Sequence, residues 1–487
     1  MKYILSIDQS TQSTKALLFD EKGDIVCRKD RKHKQIVNEL GHVSHDPKEI
    51  YQNTILSIQD VIEESSILSS DIVAMGISNQ RETTVLFDEK GNPLTDAIVW
   101  QCARASEICK RYESHKEEIY DITGLVLSPY FPASKMVWLK ENVKPEGNYR
   151  FGTIDTWLVY CLTHGQSYKT DASNASRTQL FDIHTGEWSD SLCALFGIEK
   201  EHLPEVCDSD SCFGMSDVEG ILDHEIPIYA VLGDSHAALF GQGCHQSGQV
   251  KVTLGTGSSI MMNIGSQYMK SHNGLTTSLA WKTHGKMEYV YEGNINYAGA
   301  IISWIQNDLG LIQSPNETQQ AIEQANEEDE TILVPAFSGL SAPHWNENVR
   351  AIFYNMSRTT KKNELIKASV ESIAYQITDI LNAMASDSAL ALSQVKADGG
   401  PSKNNYLMQF LSDMARCSVK VSKQEELSAI GVAYMAGIAV GLYQKETLFS
   451  HREYIEYNRK MDINNWKKRM DRWYDALALL LSKEESC

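Results

Sequence analysis

The residues that could do chemistry fall in two stretches half a chain apart. In the first, the apolar run over residues 228–232 breaks at Gly233 and delivers Asp234, followed by the small-residue helix start Ser235-His236-Ala237-Ala238. A carboxylate there is either a helix cap or an aimed base that takes a proton. Just beyond it, Leu254-Gly255-Thr256-Gly257-Ser258-Ser259 reads as a strand and a glycine turn. Such a turn is either ordinary or a cradle whose bare amides and hydroxyls hold phosphate oxygens. The second stretch, at the N-terminus, repeats the chemistry. A buried-strand pattern over 3–7 ends at Asp8, and Gln9-Ser10-Thr11-Gln12-Ser13-Thr14-Lys15 is a turn crowded with hydroxyls and closed by a cation. Asp8 is placed to hold a metal ion, directly or through water. A plain polar hairpin is the alternative for either loop alone; two such loops together suit phosphoryl transfer, which needs a base and a phosphate cradle close by.

A third group could recognise hydroxyls. The strand pattern over 72–78 runs into Asn79-Gln80-Arg81-Glu82-Thr83, where an Arg and a Glu share a strand end. The pair can grip two adjacent hydroxyls, the Arg donating and the Glu accepting, or it is a surface ion pair. Trp100 and Tyr130 offer aromatic walls or core.

The elements that must position these groups need a chain of this size. With 487 residues the protein is long enough for two substantial domains, and its 42% hydrophobic and 22% charged residues are globular in balance. A net charge of −19 leaves no basic stripe for nucleic acid. The ten cysteines contain no Cys-x-x-Cys pair, so reduced thiols in the cytoplasm are expected. No run approaches the roughly 20 apolar residues that cross a bilayer, so no membrane partner is expected.

Asp46-Pro47 reads as the cap and first turn of a helix. Leu18-Phe19-Asp20-Glu21-Lys22-Gly23 recurs as Leu86-Phe87-Asp88-Glu89-Lys90-Gly91, and both should turn hairpins. The pattern restarts after Gln242, which divides the chain into 1–242 and 243–487. Strands are expected over 250–254, 258–264 and 288–291, then a helix through Ala298-Gly299-Ala300-Ile301-Ile302-Ser303-Trp304, whose small residues let a flat ring approach or simply pack closely. Residues 314–330 read as an acidic, solvated helix. A long core helix over 364–384 precedes a strand ending at Asp398-Gly399-Gly400, with Asn404-Asn405 capping the next helix. Trp466, Met470, Trp473, Leu477 and Leu480 form one face of a C-terminal helix.

Read together, Asp-Gln-x-Thr-x-Ser-Thr-Lys at 8–15, His45-Asp46-Pro47, Ser78 to Thr83, Ile98 to Cys102, Tyr130 to Asn142, Thr170 to Thr178, Leu254 to Ser258 and Asp398-Gly399-Gly400 resemble the FGGY carbohydrate kinases, the glycerol-phosphorylating branch above all. The resemblance spans nearly the whole chain in order. It implies an α/β protein of two actin-like (ribonuclease H-like, ASKHA) domains, each a mixed sheet with flanking helices, around a deep cleft. It also implies transfer of the ATP γ-phosphoryl group to a hydroxyl of glycerol or a related polyol, with Mg²⁺. By the same resemblance Asp234 is the general base and Asp8 the metal-organising carboxylate. Arg81, Glu82, Trp100, Tyr130, Asp234 and Ser235 hold the acceptor, and Thr11, Gln12, Ser13, Lys15 and Thr256 meet the phosphates. Gly299, Ser303, Gly400 and Asn404 line the adenosine pocket. A homodimer stays open.

Four positions depart from that pattern: Ser10 for Gly, Ser235-His236 for Gln-Gln after Asp234, Ser259 for an aromatic lid, and Asn355-Met356 for Gly-Leu. The second and third add room and hydroxyls, which favours a longer polyol or ketose such as ribulose or xylulose. Glycerol remains the acceptor if Tyr297 or Phe337 fills the gap. His236 is expected to be a neutral, hydrogen-bonded histidine. The competing class is an actin- or Hsp70-like ATPase module on the same scaffold.

Overall fold

The computed structural model describes residues 1–450 and 452–482. Its centre is a six-stranded sheet in the spatial order Cys212–Ser216, Ile226–Gly233, Ile72–Asn79, Tyr3–Gln9, Ser13–Phe19 and Ile25–Lys32. The three inner strands Ile226–Gly233, Ile72–Asn79 and Tyr3–Gln9 run parallel, and the flanking pairings are antiparallel. Helices cover both faces, so Ile4 to Gln9 are buried without the alternation that a one-sided sheet would show.

A second sheet repeats this plan. Tyr454–Tyr457, Val419–Ser422, Gln394–Gly399, Gln249–Leu254, Ser258–Gly265 and Lys286–Ile295 follow in order, with Thr276–Thr283 added at the edge. Again three inner strands are parallel and the rest antiparallel. Strand for strand, the turn after Gln9 corresponds to the turn after Leu254, so the two hydroxyl-bearing hairpins hold equivalent places in duplicated sheets. This is the two-lobed α/β architecture expected. A smaller five-stranded sheet, containing Val43–His45, Ala97–Ile98, Thr84–Asp88 and Tyr149–Thr153, stands beside the first and carries the Trp100 segment.

Local signals explain the boundaries. The side chain of Asp46 accepts from Lys48 N at 2.8 Å and caps the helix Pro47–Ser65. The repeated turns are closed alike: Asp20 Oδ1 accepts from the amides of Lys22 and Asp24 at 2.9 and 3.0 Å, and Asp88 Oδ1 from those of Lys90 and Asn92 at 2.9 and 2.8 Å. Asn404 caps its helix through Leu407 N at 3.0 Å. The C-terminal helix Ile463–Leu481 buries Met470, Trp473, Leu477 and Leu480. No helix among the described residues is long and apolar enough to cross a membrane.

Two expectations change, and one strand is added. The acidic stretch 314–330 is helical only over Glu317–Glu323, because its later residues bond elsewhere. Glu364 takes the Asn326 amide at 2.8 Å, Asp329 takes Thr331 N and Thr360 Oγ1, and Glu330 pairs with Lys468 and Arg472. The helix at 298–304 is Gly299–Ser303, prolonged by a π turn at Trp304–Asp308. Thr276–Thr283 is a strand that the sequence reading passed over.

The lobes are seamed by the apolar helix Leu427–Ala439, which lies on the first sheet and crosses the helix Asp234–Gly241. Ser6 Oγ bonds Ala429 O at 2.9 Å. At the crossing, a Cβ on Gly431 would sit 1.9 Å from Ala237 O, and one on Gly241 would sit 2.2 Å from Leu427 O. Gly431→Ala is therefore expected to force the helices apart and lower stability by about 1–3 kcal/mol, read as a fall in the urea midpoint at unchanged slope.

Candidate active site

Asp234 ends the strand Ile226–Gly233 and opens the next helix, where its side chain is one-third exposed, at 33%, and therefore reachable by a ligand. Burial of the site raises its pKa, and Arg81 and Lys251 oppose the shift. Arg81 Nε lies 3.4 Å from Asp234 Oδ1. The rest of the Arg81 guanidinium is engaged across the cleft: Nη1 and Nη2 donate to the two oxygens of Glu292 at 2.9 and 2.8 Å. Arg177 Nη1 reaches Glu292 Oε2 at 2.7 Å, and Arg177 Nε donates to Glu82 Oε1 at 2.6 Å. All four of these side chains are buried. Burial alone would raise the Glu292 pKa, but Arg177 and Arg81 hold it well below the carboxylate range.

The aromatic wall is tied to both halves of the site. Trp100 and Tyr130 have ring centroids 5.5 Å apart, and Trp100 Nε1 donates to Thr11 Oγ1 at 3.0 Å. Behind them Lys135, fully buried, donates to the carbonyls of Glu82 at 3.3 Å, Trp100 at 3.4 Å and Tyr130. One ammonium thus fixes the backbone of three predicted acceptor residues, including Glu82, whose φ of 59° is left-handed. Burial pushes Lys135 down to about 7.

On the phosphate side Ser10, Thr11, Gln12 and Ser13 form the first hairpin tip, closed by Ser10 N on Ser13 O at 2.8 Å. His33 braces it through Thr11 O at 2.8 Å and Gln12 O at 3.1 Å. Asp8 accepts from Ser78 Oγ at 3.1 Å and Lys15 Nζ at 3.4 Å, while Lys15 also pairs with Glu426 at 2.5 Å. Asp8, Lys15, Asp398 and Gly400 line one cavity of about 790 Å³. Gly400 also lines a neighbouring cavity of about 600 Å³, together with Gly299, Ser303, Asn404, Asn316 and Leu407. Thr256, exposed at the second hairpin tip, offers its carbonyl to the amides of Ala298 and Ala300 at 2.9 and 3.0 Å, which pins that tip to the wall of the smaller cavity. Ser428, which lines the cavity with Asp8, donates to the Asp234 carbonyl at 3.0 Å, and Asp8 raises the Asp234 pKa further.

Where the sequence departs from the family pattern, Ser259 Oγ donates to Ser235 Oγ at 3.3 Å. Tyr297 and Phe337 pack on each other, and Phe337 also on Trp304, in an aromatic cluster of the second lobe. His236 is buried, its Nε2 3.2 Å from Ser278 Oγ, and burial holds it well below the usual histidine pKa. Among the described residues no group of three metal-ligating side chains is found.

The N-terminal domain model of the FGGY family of carbohydrate kinases matches residues 3–241, and the C-terminal domain model matches 250–440. The chain belongs to this family. It is 43% identical over 490 residues to glycerol kinase 1 of Thermotoga maritima, covering 99% of both chains. It is 39% identical to the glycerol kinase of Fusobacterium nucleatum, covering 100% of both. Among solved structures, Plasmodium falciparum glycerol kinase with ADP matches with a TM-score of 0.93 and 35% identity over 99% of this chain and 98% of that one. A xylulose kinase from Lactobacillus acidophilus shares the fold with a TM-score of 0.90 at 21% identity.

In this FGGY kinase the sequence reading missed Glu292, Arg177, Lys135, Lys251 and Asp398 as members of the cleft. Glu292, Lys135 and Lys251 left a faint signal, a charged residue inside an apolar strand or helix pattern, as in Val250-Lys251-Val252. Glu292→Gln leaves two buried guanidiniums short of their counter-charge, and such a loss costs about 3–5 kcal/mol. A Glu292→Gln protein whose urea or thermal midpoint matched the parent's would show that this pair does not brace the cleft.

Proposed function

We propose that the chain transfers the γ-phosphoryl group of ATP to a hydroxyl of glycerol or a related polyol. The observation that carries this reading is Asp234, a reachable carboxylate 3.4 Å from Arg81 Nε whose carbonyl takes the Ser428 hydroxyl from the lining of the cavity that holds Asp8. Full-length likeness to glycerol kinases supports the choice of acceptor. An ATPase module of the same fold has no use for that polar and aromatic wall.

In the mechanism, Arg81 and Glu82 orient the acceptor while Trp100 and Tyr130 cover its carbon chain. Ser235 adds a hydroxyl beside Asp234. Asp234 takes the proton of the attacking hydroxyl, a contribution of roughly 10²- to 10⁴-fold. Thr11, Gln12 and Ser13 of one hairpin, Thr256 of the other and Lys15 receive the phosphates through amides, hydroxyls and one ammonium. Gly299, Ser303, Gly400 and Asn404 line the adenosine pocket; a Cβ on Gly400 would meet nothing within 4 Å, so the pocket stays open there. Residues 1–242 then supply the acceptor wall and first hairpin, and 243–487 the nucleotide pocket. Most of the catalysis is alignment and charge neutralisation.

The residues present fit Mg²⁺. Asp8 and Asp398 face one cavity, and Lys15, the cation bonded to Asp8, is shared with Glu426. A triphosphate entering beside two carboxylates needs added positive charge, and oxygen ligands of this kind suit a hard divalent cation that keeps water. Asp8, directly or through water, would hold it, and when bound it supplies neutralisation of the phosphate oxygens.

The test is coupled ADP release by the full chain over a polyol panel. Acceptor-dependent release is expected, abolished by chelation of the divalent cation. Asp234→Asn should lower kcat by about 10²- to 10⁴-fold with ATP affinity retained. Asp234 works ionised, so its raised pKa places the acid limb of the rate profile above the ordinary aspartate value of about 3.9, with activity lost as pH falls through it. ATP turnover indifferent to every polyol would overturn the reading.

A further inference from the structure

Beside Asp234 runs a chain of donors that the mechanism above leaves unfinished. Lys251 projects from the strand Gln249–Leu254 between the core residues Val250 and Val252 and is almost wholly buried, at 1% exposure. Its ammonium donates to Ser259 Oγ at 3.2 Å, and Ser259 donates to Ser235 Oγ at 3.3 Å. An ammonium has no lone pair, so the direction of the chain is set from the lysine end. Each hydroxyl accepts from behind and donates forward. The Ser235 proton is therefore the free end, on a half-buried side chain next to the exposed part of Asp234. Ser259 is half-buried too, and Asn294 stands opposite it in the sheet with its amide on Glu292 Oε1 at 3.2 Å.

The support behind this free end gives it a use. Asp234, Arg81 and Glu82 offer charged partners to a polyol, and Ser235 adds a hydroxyl donor to them; a buried ammonium fixed behind it is an unusual support for a serine that meets only solvent. Tyr297 and Phe337 are packed in their own cluster and do not provide a replacement lid.

We propose that Ser235, Ser259 and Lys251 form a subsite for a fourth oxygen, which makes the preferred acceptor a four- or five-carbon polyol or ketose whose additional hydroxyl or carbonyl oxygen accepts the Ser235 proton. This rests on the reading of the chain as a polyol kinase and narrows it. A site built to bond a substrate oxygen discriminates against the analogue that lacks it, because its polar groups are then left unpaired.

The experiment compares kcat/KM of the full-length protein with glycerol, erythritol, ribulose and xylulose, in the parent and in Ser235→Ala, Ser259→Ala and Ser259→Phe. The best longer acceptor is expected to exceed glycerol at least tenfold, about 1.4 kcal/mol. Each variant should move that ratio at least tenfold towards glycerol, chiefly through KM for the longer acceptor. Binding of ADP to each variant shows that it has folded. A parent enzyme that prefers glycerol to every longer acceptor, or a ratio that no variant moves, overturns the subsite while leaving the kinase reading intact. No ADP release with any acceptor overturns both.

Discussion

A single carboxylate held by two guanidiniums governs how the two lobes face each other. Glu292 comes from the second sheet, and Arg81 and Arg177 from the first lobe, so their ion pairs cross the cleft at its floor. Buried charges are stable only when countered and fully bonded, and here Glu292 takes both ends of Arg81 and one of Arg177, while Arg177 turns its Nε to Glu82. With two donors of Arg81 committed, its Nε is left facing Asp234. The interaction that joins the lobes therefore also sets the angle at which Arg81 meets Asp234.

That floor matters because everything else in the cleft comes in pairs. The duplicated sheets place one hydroxyl-bearing hairpin after Tyr3–Gln9 and another after Gln249–Leu254, and each is pinned from behind, the first by His33 and Trp100, the second by the amides of Ala298 and Ala300. The tips have little freedom relative to their own lobes. Their separation is then a matter of how the lobes sit, which returns the question to Glu292 and to the helix Leu427–Ala439 seated on the opposite sheet.

Legibility in the sequence followed the range of each interaction. Asp8, the hydroxyl-rich turn beyond it, Asp234 and the glycine turn at 255–257 were readable because strand end, turn and helix start are neighbours in the chain. Caps such as Asp46 and Asn404 were readable for the same reason. Arg81 and Glu292 are 211 residues apart, and nothing local announces that they meet. Lys135 looked like an ordinary helix residue, although its ammonium reaches carbonyls contributed by three separate segments. The over-long acidic helix at 314–330 failed for the converse reason: its charges suggested a solvated face, whereas Asp329 and Glu330 bond to residues further along the chain.

The two halves of the cleft also differ in how their charge is balanced, and this bears on what each can receive. On the side of Asp234, Arg81 and Arg177 pair with Glu82, Glu292 and Asp234, with Lys135 and Lys251 buried close by. In the proposed reaction an uncharged polyol leaves those ion pairs undisturbed, whereas an anionic sugar would compete with their carboxylates for the guanidiniums. On the phosphate side the imbalance runs the other way, since Asp8 and Asp398 face a cavity in which Lys15 is shared with Glu426. A triphosphate would add to that negative charge, so a divalent cation held at Asp8 would have to accompany it, and by countering Asp8 that cation would oppose the rise that Asp8 causes in the Asp234 pKa.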